Sequence, residues 1–471
     1  MATNNHCLEE TNSVIVIMVP FPMHSHMNQV LQLSFLISSY NIPVHYAGSS
    51  IHNSQIRARA HHLHDQLSKI QFHDFQIPPL SPDSSRFMFI HAMEHLRKPV
   101  ALLLHELSKK ANRIIIIHDN LASSVVQDWT SIPNAEPYMF LPTTAFSVLS
   151  RIISLESGIF LTIPKELAHD ENYNSDPIEV PYVEESVSKE IFDFIGYQQQ
   201  FAQNSVGTVN NSCRLVDGIF VDMLVEKLNK TIWSVGPLHQ ITSRNRECYN
   251  SISGKDRCLL DWLDKQEPNS VLYISFGTTI SMAHHDQQLQ ELATGLELSE
   301  TKFIWVFRDA DMDDPDYDGK RGELPEGFEE RMREKGIGMV VRDWAPQLEV
   351  LEHKSTGGFL SHCGWNSCLE SISCGVPIAA WPMHTDQPSN ALLITQVLKV
   401  GLHVREWERR HELVSSSMVN KALRRLMGSD DGAEMRKRAE DLGAKVRNAT
   451  ADGGVSRLEC DSFIAHITRQ T

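Results

Sequence analysis

A polar stretch, HCGWNSCLES at residues 362–371, follows directly on the apolar run GGFL and opens a helical pattern. Backbone N–H groups at such a helix start carry partial positive charge that suits a phosphate, and Gly364 permits a sharp turn before the helix. His362, Asn366 and Ser367 can add side-chain donors. Glu370 lies on the same helix face as Asn366, where a carboxylate accepts hydrogen bonds from a ribose diol. A plain helix cap explains this short stretch equally well, because Asn and Ser cap many helices.

Residues on both sides of this stretch match the other parts of a nucleotide sugar. Trp344 and Gln347, in WAPQ, offer a stacking surface with an amide beside it, which suits a planar base. Asp386 and Gln387, in MHTDQ, offer acceptors and donors for sugar hydroxyls. The segment 344–387 therefore predicts a site for a base, a ribose, a phosphate group and a sugar.

Two positions in the first half could supply acid–base chemistry. In PFPMHSHMNQ a histidine follows the first apolar strand, and an imidazole with its ordinary pKa near ~6.5 can take a proton from a hydroxyl. His24 and His26 compete for this role, and the chain has 23 histidines, so the residues alone do not choose between them. Asp119 ends the run RIIIIHD, where its carboxylate could orient an imidazole or simply cap a turn.

The elements that must position these groups follow from an alternation along the chain. Apolar β-branched runs such as VIVIMVP, RIIIIHD and SVLYISFG are each followed by a helical pattern. Continuous apolar strands that alternate with helices predict parallel sheets covered on both faces, the doubly wound α/β class. Two such domains would face each other across a cleft lined by the carboxyl ends of strands.

The length of 471 residues favours two domains, and the stretch from 235 to 257 has the Pro, Ser, Asn and charge content of a linker. The predicted organisation is an N-terminal domain over 1–240, a linker over 241–257 and a C-terminal domain over 258–453. Residues 454–471 have helical spacing and are expected to form a C-terminal helix that could pack on either domain, including back on the N-terminal domain.

Composition excludes several classes of partner. The chain has 43 basic and 59 acidic residues and a formal charge of −16, which disfavours binding to nucleic acid or to an anionic membrane. The first apolar run is too short for a signal sequence or a membrane span, so we expect a cytoplasmic monomer. The eight cysteines lack the CxxC spacing of a zinc site and are expected to be reduced.

The segment 344–387 as a whole resembles the signature box of plant family-1 UDP-sugar glycosyltransferases, since WAPQ, GGFLSHCGWNSCLES and GVPIAAWPMHTDQ stand in the same order. The resemblance implies two Rossmann-like domains facing across a cleft, the GT-B architecture. It makes 1–240 the acceptor-binding domain and 258–453 the UDP-sugar-binding domain. It implies that Trp344 stacks on uracil and that Glu370 binds the ribose. It implies that Trp365, Asp386 and Gln387 contact the sugar. The donor-site residues that it implies are Thr278, Thr279, Trp344, Ala345, Gln347, His362, Gly364, Trp365, Asn366, Ser367, Glu370, Asp386 and Gln387.

The same resemblance chooses between the two histidines. The family places its catalytic histidine at the position of His26, with Asp119 as its partner, and usually has glycine where this chain has Ser25. It implies that His26 deprotonates an acceptor, whose oxygen displaces UDP and inverts the anomeric carbon. It implies glucose as the sugar, because the box ends in a glutamine, Gln387. It implies no metal or other cofactor. The Asp-rich run DADMDDPDYD at 309–318 is expected to be a solvated loop.

The N-terminal half most resembles zeatin O-glucosyltransferases, through VIVIMVPFPMHSHMNQVLQLSFLISSYNIPVHYAG and IHDNLASSVVQDWTSIPNAEPYMF. This implies a cytokinin hydroxyl, or that of a flavonoid or other phenolic, as acceptor. C-glucosylation, extension of a glycoside, and a non-catalytic nucleotide-sugar binder are the alternatives. A nicotinamide dehydrogenase is excluded because no GxGxxG follows a predicted strand. Acceptor candidates in apolar, aromatic segments are Glu94, Phe146 and Phe194, although helix packing explains these residues at least as well.

Overall fold

The computed structural model describes residues 12–60, 63–79, 87–156, 160–161, 177–181, 186–243, 254–277, 286–307, 323–342 and 344–470. Two parallel sheets dominate it, one in each half of the chain, and helices cover both faces of each sheet. This confirms the predicted doubly wound α/β class.

The N-terminal sheet has seven parallel strands in the order β3-β2-β1-β4-β5-β8-β9, and β6 and β7 form a separate antiparallel pair. The strands are β1 Asn12–Val19, β2 Val44–Ser49, β3 Ile70–Phe75, β4 Ala111–Asp119, β5 Ala135–Leu141, β6 Phe160–Leu161, β7 Ile178–Glu179, β8 Gly207–Asn210 and β9 Ile232–Ser234. The helices are α1 His24–Ser38, α2 Ser50–Arg59, α3 His64–Leu67, α4 Met88–Leu107, a 3-10 helix Ser123–Ser131, α5 Ala145–Glu156, α6 Lys189–Ala202, α7 Arg214–Leu228 and α8 Leu238–Ser243.

The C-terminal sheet has six parallel strands in the order β12-β11-β10-β13-β14-β15. The strands are β10 Val271–Ser275, β11 Lys302–Val306, β12 Gly338–Val341, β13 Thr356–Ser361, β14 Ile378–Ala380 and β15 Gly401–His403. The helices are α9 Gly254–Leu263, α10 Asp286–Ser299, α11 Phe328–Glu334, α12 Gln347–Glu352, α13 Trp365–Cys374, α14 Gln387–Leu392, a π-helical turn Leu393–Val397, a 3-10 helix Trp407–Arg409, α15 Ser416–Gly428, α16 Asp430–Ala449 and α17 Val455–Ile467.

The two strand orders place each candidate site at a topological switch point. In the N-terminal sheet the order reverses between β1 and β4, which pair in parallel, and in the C-terminal sheet it reverses between β10 and β13. Ligands of open α/β sheets bind where adjacent strands send their connections to opposite faces. The chain leaves β1 toward His26 and ends β4 at Asp119, and it leaves β13 toward His362.

Apolar packing joins the two halves. One buried cluster combines Phe146 and Phe220 of the N-terminal half with Trp365 and Leu369 of α13. The last helix, α17, buries Phe463 against Trp233 of the N-terminal sheet, with ring centroids 5.3 Å apart. The first contact joins the two domains directly, and the second packs the C-terminal helix on the N-terminal sheet. No helix in the described part of the chain is long and apolar enough to cross a membrane.

Candidate active site

His26 and Asp119 form a hydrogen-bonded pair at the switch point of the N-terminal sheet. His26 lies in the first turn of α1, and its Nδ1 is 2.8 Å from Oδ2 of Asp119. The Asp119 side chain is fully buried, whereas that of His26 is 18% exposed. The other carboxylate oxygen, Oδ1, accepts the backbone N–H of Leu121 at 2.9 Å. The carboxylate therefore holds Nδ1 in its protonated form and leaves Nε2 as the basic nitrogen.

The charge of Asp119 sets the basicity of His26. Burial lowers the pKa of His26, but the charge and the hydrogen bond of Asp119, with a smaller contribution from Asp386, outweigh burial and raise the pKa above its usual 6.5. A base whose conjugate acid is stabilised in this way is suited to take a proton from a hydroxyl. The neighbouring His118 differs, because burial lowers its pKa to about 4 and Ser205 lies 3.0 Å from its Nε2. His118 is therefore a buried structural residue.

Across the cleft, the loop after β13 opens α13 with its N-terminal backbone N–H groups available. In the described part of the chain no side chain caps this helix. The left-handed residue of the turn is Cys363, with φ 65°, whereas Gly364 has φ −58°. Gly364 is therefore not the residue whose backbone conformation makes the turn, contrary to the expectation from the sequence. A Cβ on Gly364 or on Gly277 would collide with the imidazole of His362, so the two glycines make room for that ring.

His362 faces the α13 N-terminus as a neutral ring. Burial, and then the charge of His384, lower the pKa of His362 to about 3. His362 can therefore give a phosphate a hydrogen bond but no positive charge. Among the described residues at this turn, the α13 N-terminus supplies a partial positive charge that attracts an anion.

Three polar side chains of the candidate ribose site are already bonded to one another. Nε2 of Gln347 donates to Oε2 of Glu370 at 2.7 Å and to Oγ of Ser367 at 3.0 Å. Trp344 lies at the edge of this group with 56% of its surface exposed, which leaves ring area for a planar base. The guanidinium of Arg59 lies 5.2 Å from the Trp344 ring centroid. Ala345 is buried in the C-terminal core, so its contribution to a ligand is limited to its backbone.

Asn366 links the two halves of the site. Its Nδ2 donates to the carbonyl oxygen of Ser25 at 3.0 Å, and Ser25 is the residue directly before His26. Trp365 also crosses the cleft: its indole N–H donates to the carbonyl oxygen of Asn211 at 2.7 Å, and the side chain is only 3% exposed. The Trp365 ring is therefore part of the interdomain core, and a contact of Trp365 with a sugar stays a prediction for its backbone.

Asp386 and Gln387 lie on the same side of the cleft. The Asp386 carboxylate accepts the hydroxyl of Thr143, from the N-terminal half, at 2.6 Å and the amide of Asn390 at 3.0 Å. The side-chain oxygen of Gln387 accepts the backbone N–H groups of Met383 and His384 at 2.8 and 3.0 Å. Gln387 thus fixes its own loop through its oxygen, and its NH₂ group, 3.5 Å from Nε2 of His384, is the part that can donate to a sugar.

The three acceptor candidates lie in different places. Phe194 lies 5.9 Å from Phe21, and the Phe21 ring packs edge-on against His26 at 5.2 Å, so Phe194 belongs to an aromatic wall beside the dyad. Phe146 is fully buried and packs against Phe220 at 4.8 Å, which makes it a core residue and not part of that wall. Glu94 lies on an exposed face of α4, in a depression with Arg97 and Asp128 that shares no residue with the wall.

Several residues of the site escaped the sequence prediction. Thr143, Arg59 and the wall residues Phe21 and Phe89 have no distinguishing spacing, although Thr143 follows a strand and could have been suspected on that ground. Thr278 and Thr279, and the run 309–318, lie outside the described residues.

Comparison with known proteins agrees with this geometry. Residues 12–240 match the family model for the glycosyltransferase N-terminal domain, and residues 257–431 match the model for UDP-glucoronosyl and UDP-glucosyl transferases. The chain belongs to the UDP-glycosyltransferase family. It is similar to the zeatin O-glucosyltransferase of Phaseolus lunatus, with 45% identity over 100% of both chains. It is equally similar to the zeatin O-xylosyltransferase of Phaseolus vulgaris, with 45% identity over 98% of this chain and 100% of the other.

Solved structures of this family share the architecture. A UGT of Medicago truncatula complexed with UDP-glucose superposes with a TM-score of 0.75, at 26% identity, over 97% of this chain and 99% of its own. A UGT of Siraitia grosvenorii in complex with UDP gives a TM-score of 0.76, at 23% identity, over 97% and 100% of the two chains. The predicted two-domain GT-B architecture and the predicted enzyme class are both confirmed.

Proposed function

We propose that this glycosyltransferase transfers glucose from UDP-glucose to a hydroxyl of a small metabolite, with inversion, to give a β-O-glucoside. The observation that carries the proposal is the position of the His26–Asp119 pair. It lies at one switch point and is joined through Ser25 and Asn366 to the open helix N-terminus at the other. A base and an anion site on opposite walls of one cleft suit displacement of a phosphate leaving group.

In the proposed reaction Nε2 of His26 removes the proton of the acceptor hydroxyl. The acceptor oxygen forms a bond to the anomeric carbon, and the bond from that carbon to the UDP oxygen breaks with its electron pair leaving on UDP. Asp119 stabilises the imidazolium, and the N-terminus of α13 with the neutral His362 holds the charge that develops on the leaving group. A single displacement inverts the anomeric centre. No group beyond the co-substrate has a part in these steps, so we expect EDTA to leave the rate unchanged.

The acceptor that we propose is the side-chain hydroxyl of a zeatin-type cytokinin. The two Phaseolus relatives described above, matched over their full length, are named for O-glycosylation of zeatin. Phe194 is partly exposed and packs on the buried rings of Phe21 and Phe89 beside His26, so it offers an apolar surface that suits a planar purine. Because one relative is named a xylosyltransferase, the donor must be tested as well as the acceptor.

The test is turnover of the purified chain with UDP-glucose or UDP-xylose and a panel of trans-zeatin, cis-zeatin and flavonols. UDP release gives the rate, and NMR of the anomeric proton gives the product configuration. We expect the products to be β-glucosides that are cleaved by acid hydrolysis. An acid-resistant product would indicate C-glucosylation, an α product would exclude the single displacement, and binding without turnover across the panel would favour a passive binder.

We propose in addition that the enzyme is a cytoplasmic monomer. Light scattering of the purified chain tests the oligomeric state, and a fluorescent fusion in plant cells tests the location. A stable dimer, or a fusion retained in a membrane compartment, would contradict this part of the proposal.

A further inference from the structure

A buried carboxylate, that of Asp217, lies behind the loop that carries Thr143. Asp217 belongs to α7, and its side chain is fully buried. Its Oδ2 accepts the backbone N–H of Ala145 at 2.7 Å, and its Oδ1 accepts the hydroxyl of Ser212 at 2.7 Å. Ala145 and Ser212 follow β5 and β8, which are neighbours in the N-terminal sheet. The carboxylate therefore ties together the two loops that leave these strands.

Both loops make contacts with the C-terminal half. In the first loop, the hydroxyl of Thr143 donates to Oδ2 of Asp386 at 2.6 Å, two residues before the N–H that Asp217 binds. In the second loop, the carbonyl oxygen of Asn211 accepts the indole N–H of Trp365 at 2.7 Å. Asp217 thus holds, from the N-terminal side, two loops that bridge the domains.

The bond from Thr143 helps to set the orientation of the Asp386 carboxylate, which the family resemblance assigns to the donor sugar. Oδ2 of Asp386 accepts from Thr143 and, at 3.0 Å, from the amide of Asn390. Among the described residues, Oδ1 accepts only from the exposed hydroxyl of Thr385, at 3.2 Å. With Oδ2 anchored twice, Oδ1 is the oxygen with capacity left for a sugar hydroxyl. A shift of Thr143 would therefore move the acceptor that a sugar meets.

The carboxylate of Asp217 is a costly way to cap a helix. Burial raises the pKa of Asp217 to about 6, although its hydrogen bonds favour the charged form. Neutral side chains cap helices as well as Asp does, and in this chain the hydroxyls of Ser188, Ser415 and Ser429 cap α6, α15 and α16. A buried charge is therefore more than the cap of α5 needs, and buried carboxylates with a shifted pKa cluster at functional sites.

We propose that Asp217 is a positioning residue for the transfer reaction, and that it acts by holding the start of α5 so that Thr143 orients the Asp386 carboxylate toward the donor sugar. This inference rests on the proposed function. A displacement of about 1 Å caused by a change far from the reacting atoms can lower a rate about 10²-fold. The proposed sites for the base and the diphosphate lie at Trp344 and the α13 N-terminus, so the sugar should be affected more than UDP.

A double-mutant cycle tests the path from Asp217 to Asp386. Asp217→Ala removes the acceptor of both hydrogen bonds, and Thr143→Val removes the hydroxyl that reaches Asp386 but keeps the branched shape. The matched control is Asp222→Ala, because Asp222 is an exposed residue of the same helix that pairs with Arg214 at 2.7 Å. The readouts are kcat/KM for UDP-glucose with zeatin, the dissociation constants of UDP and UDP-glucose by calorimetry, and the melting temperature.

We expect Asp217→Ala to lower kcat/KM about 10- to 100-fold while its affinity for UDP changes by less than about threefold. The ratio of UDP-glucose affinity to UDP affinity should fall as well. Thr143→Val should show the same pattern, and the double variant should lose no more than the larger single loss, because both changes interrupt one path. Asp217→Asn can still accept from Ala145 and can donate to Ser212, so it should keep more activity than Asp217→Ala. Asp222→Ala should keep the wild-type rate.

The proposal is overturned if the two single losses multiply in the double variant, because Asp217 would then act independently of Thr143. It is also overturned if UDP affinity falls as much as kcat/KM, or if kcat/KM of Asp217→Ala stays within about twofold of wild type. If Asp217→Ala does not fold, Ser212→Ala replaces it in the cycle under the same criteria, since it removes one of the two donors to the carboxylate. A wild-type protein that transfers no sugar contradicts the proposed function, whereas the two dissociation constants still test Asp217.

Discussion

Replacing Asp119 by Asn would reverse the hydrogen-bond roles at His26. Oδ1 of Asp119 accepts the N–H of Leu121 at 2.9 Å, while Oδ2 faces Nδ1 of His26 at 2.8 Å. In Asp119→Asn the amide oxygen can keep the bond from Leu121, and the amide NH₂ then points at Nδ1. Nδ1 must become the acceptor, so the ring proton moves to Nε2, and Nε2 can no longer take a proton from a substrate hydroxyl.

The size of the effect follows from the interactions that are lost. A hydrogen bond to a charged group contributes about 1.5–3 kcal/mol, which corresponds to about 10- to 150-fold in rate. The change of tautomer also removes general base catalysis, which contributes about 10²- to 10⁴-fold. We therefore expect kcat of Asp119→Asn to fall about 10²- to 10⁴-fold while the melting temperature changes little, since the bond to Leu121 remains.

The pH dependence gives the substitution a second readout. The active form of His26 is neutral, and Asp119 raises its pKa above 6.5, so wild-type kcat/KM should fall as the pH drops through a value above 6.5. Without the carboxylate, burial dominates and lowers the pKa, so the acid limb of the residual activity should move below pH 6.5. The control is Asp128→Asn, which removes a surface carboxylate paired with Arg97. A limb that stays in place or moves to higher pH, or a kcat within about threefold of wild type, would refute the reasoning.

Five further substitutions, at four positions, test other parts of the site and the fold. Asn366→Asp should weaken UDP binding at least about tenfold by calorimetry, because a carboxylate at this position repels the diphosphate and also the carbonyl oxygen of Ser25, to which Asn366 donates. An unchanged affinity for UDP would contradict this. Glu370→Gln should abolish the preference for UDP over 2′-deoxy-UDP, and a preserved preference would remove Glu370 from the ribose. Trp344→Ala should weaken UDP binding about 5- to 150-fold through lost stacking, whereas Trp344→Phe should weaken it less. Phe463→Ala should cost about 3–5 kcal/mol in urea unfolding, and a cost below about 1 kcal/mol would show that α17 is dispensable.

Much of this architecture can be predicted from local sequence patterns. Runs such as RIIIIHD are apolar at consecutive positions, as a strand covered on both faces requires, and the strand β4 ends at Asp119. Side chains at strand ends meet at one edge of the sheet, so the sequence alone is enough to pair Asp119 with a histidine after the first strand. The family resemblance was still needed to choose His26 over His24, because spacing does not separate two histidines in one helical turn.

Contacts across the cleft could not be predicted in this way. The bonds from Asn366 to Ser25 and from Thr143 to Asp386 join residues 341 and 243 positions apart, and no local pattern specifies such partners. Side-chain direction is the second limit. Trp365 begins the predicted helix, but its ring turns into the interdomain core, where the indole N–H finds a carbonyl oxygen.

The structural role of a particular glycine is a third property that sequence alone does not predict. Gly364 was expected to permit a sharp turn, but the left-handed conformation is at Cys363, and Gly364 instead makes room for the imidazole of His362. A sequence shows where a residue without a Cβ is placed, whereas only the packed structure shows which neighbour needs the space.

The most direct test of the catalytic assignment is the rate of glucoside formation from UDP-glucose and zeatin by His26→Ala, measured beside wild type at saturating substrate. Asp119 orients His26, and Nε2 is the basic nitrogen toward the cleft, so the account predicts that kcat falls at least about 10²-fold while UDP binds as before. Product formation by His26→Ala at the wild-type rate would contradict it.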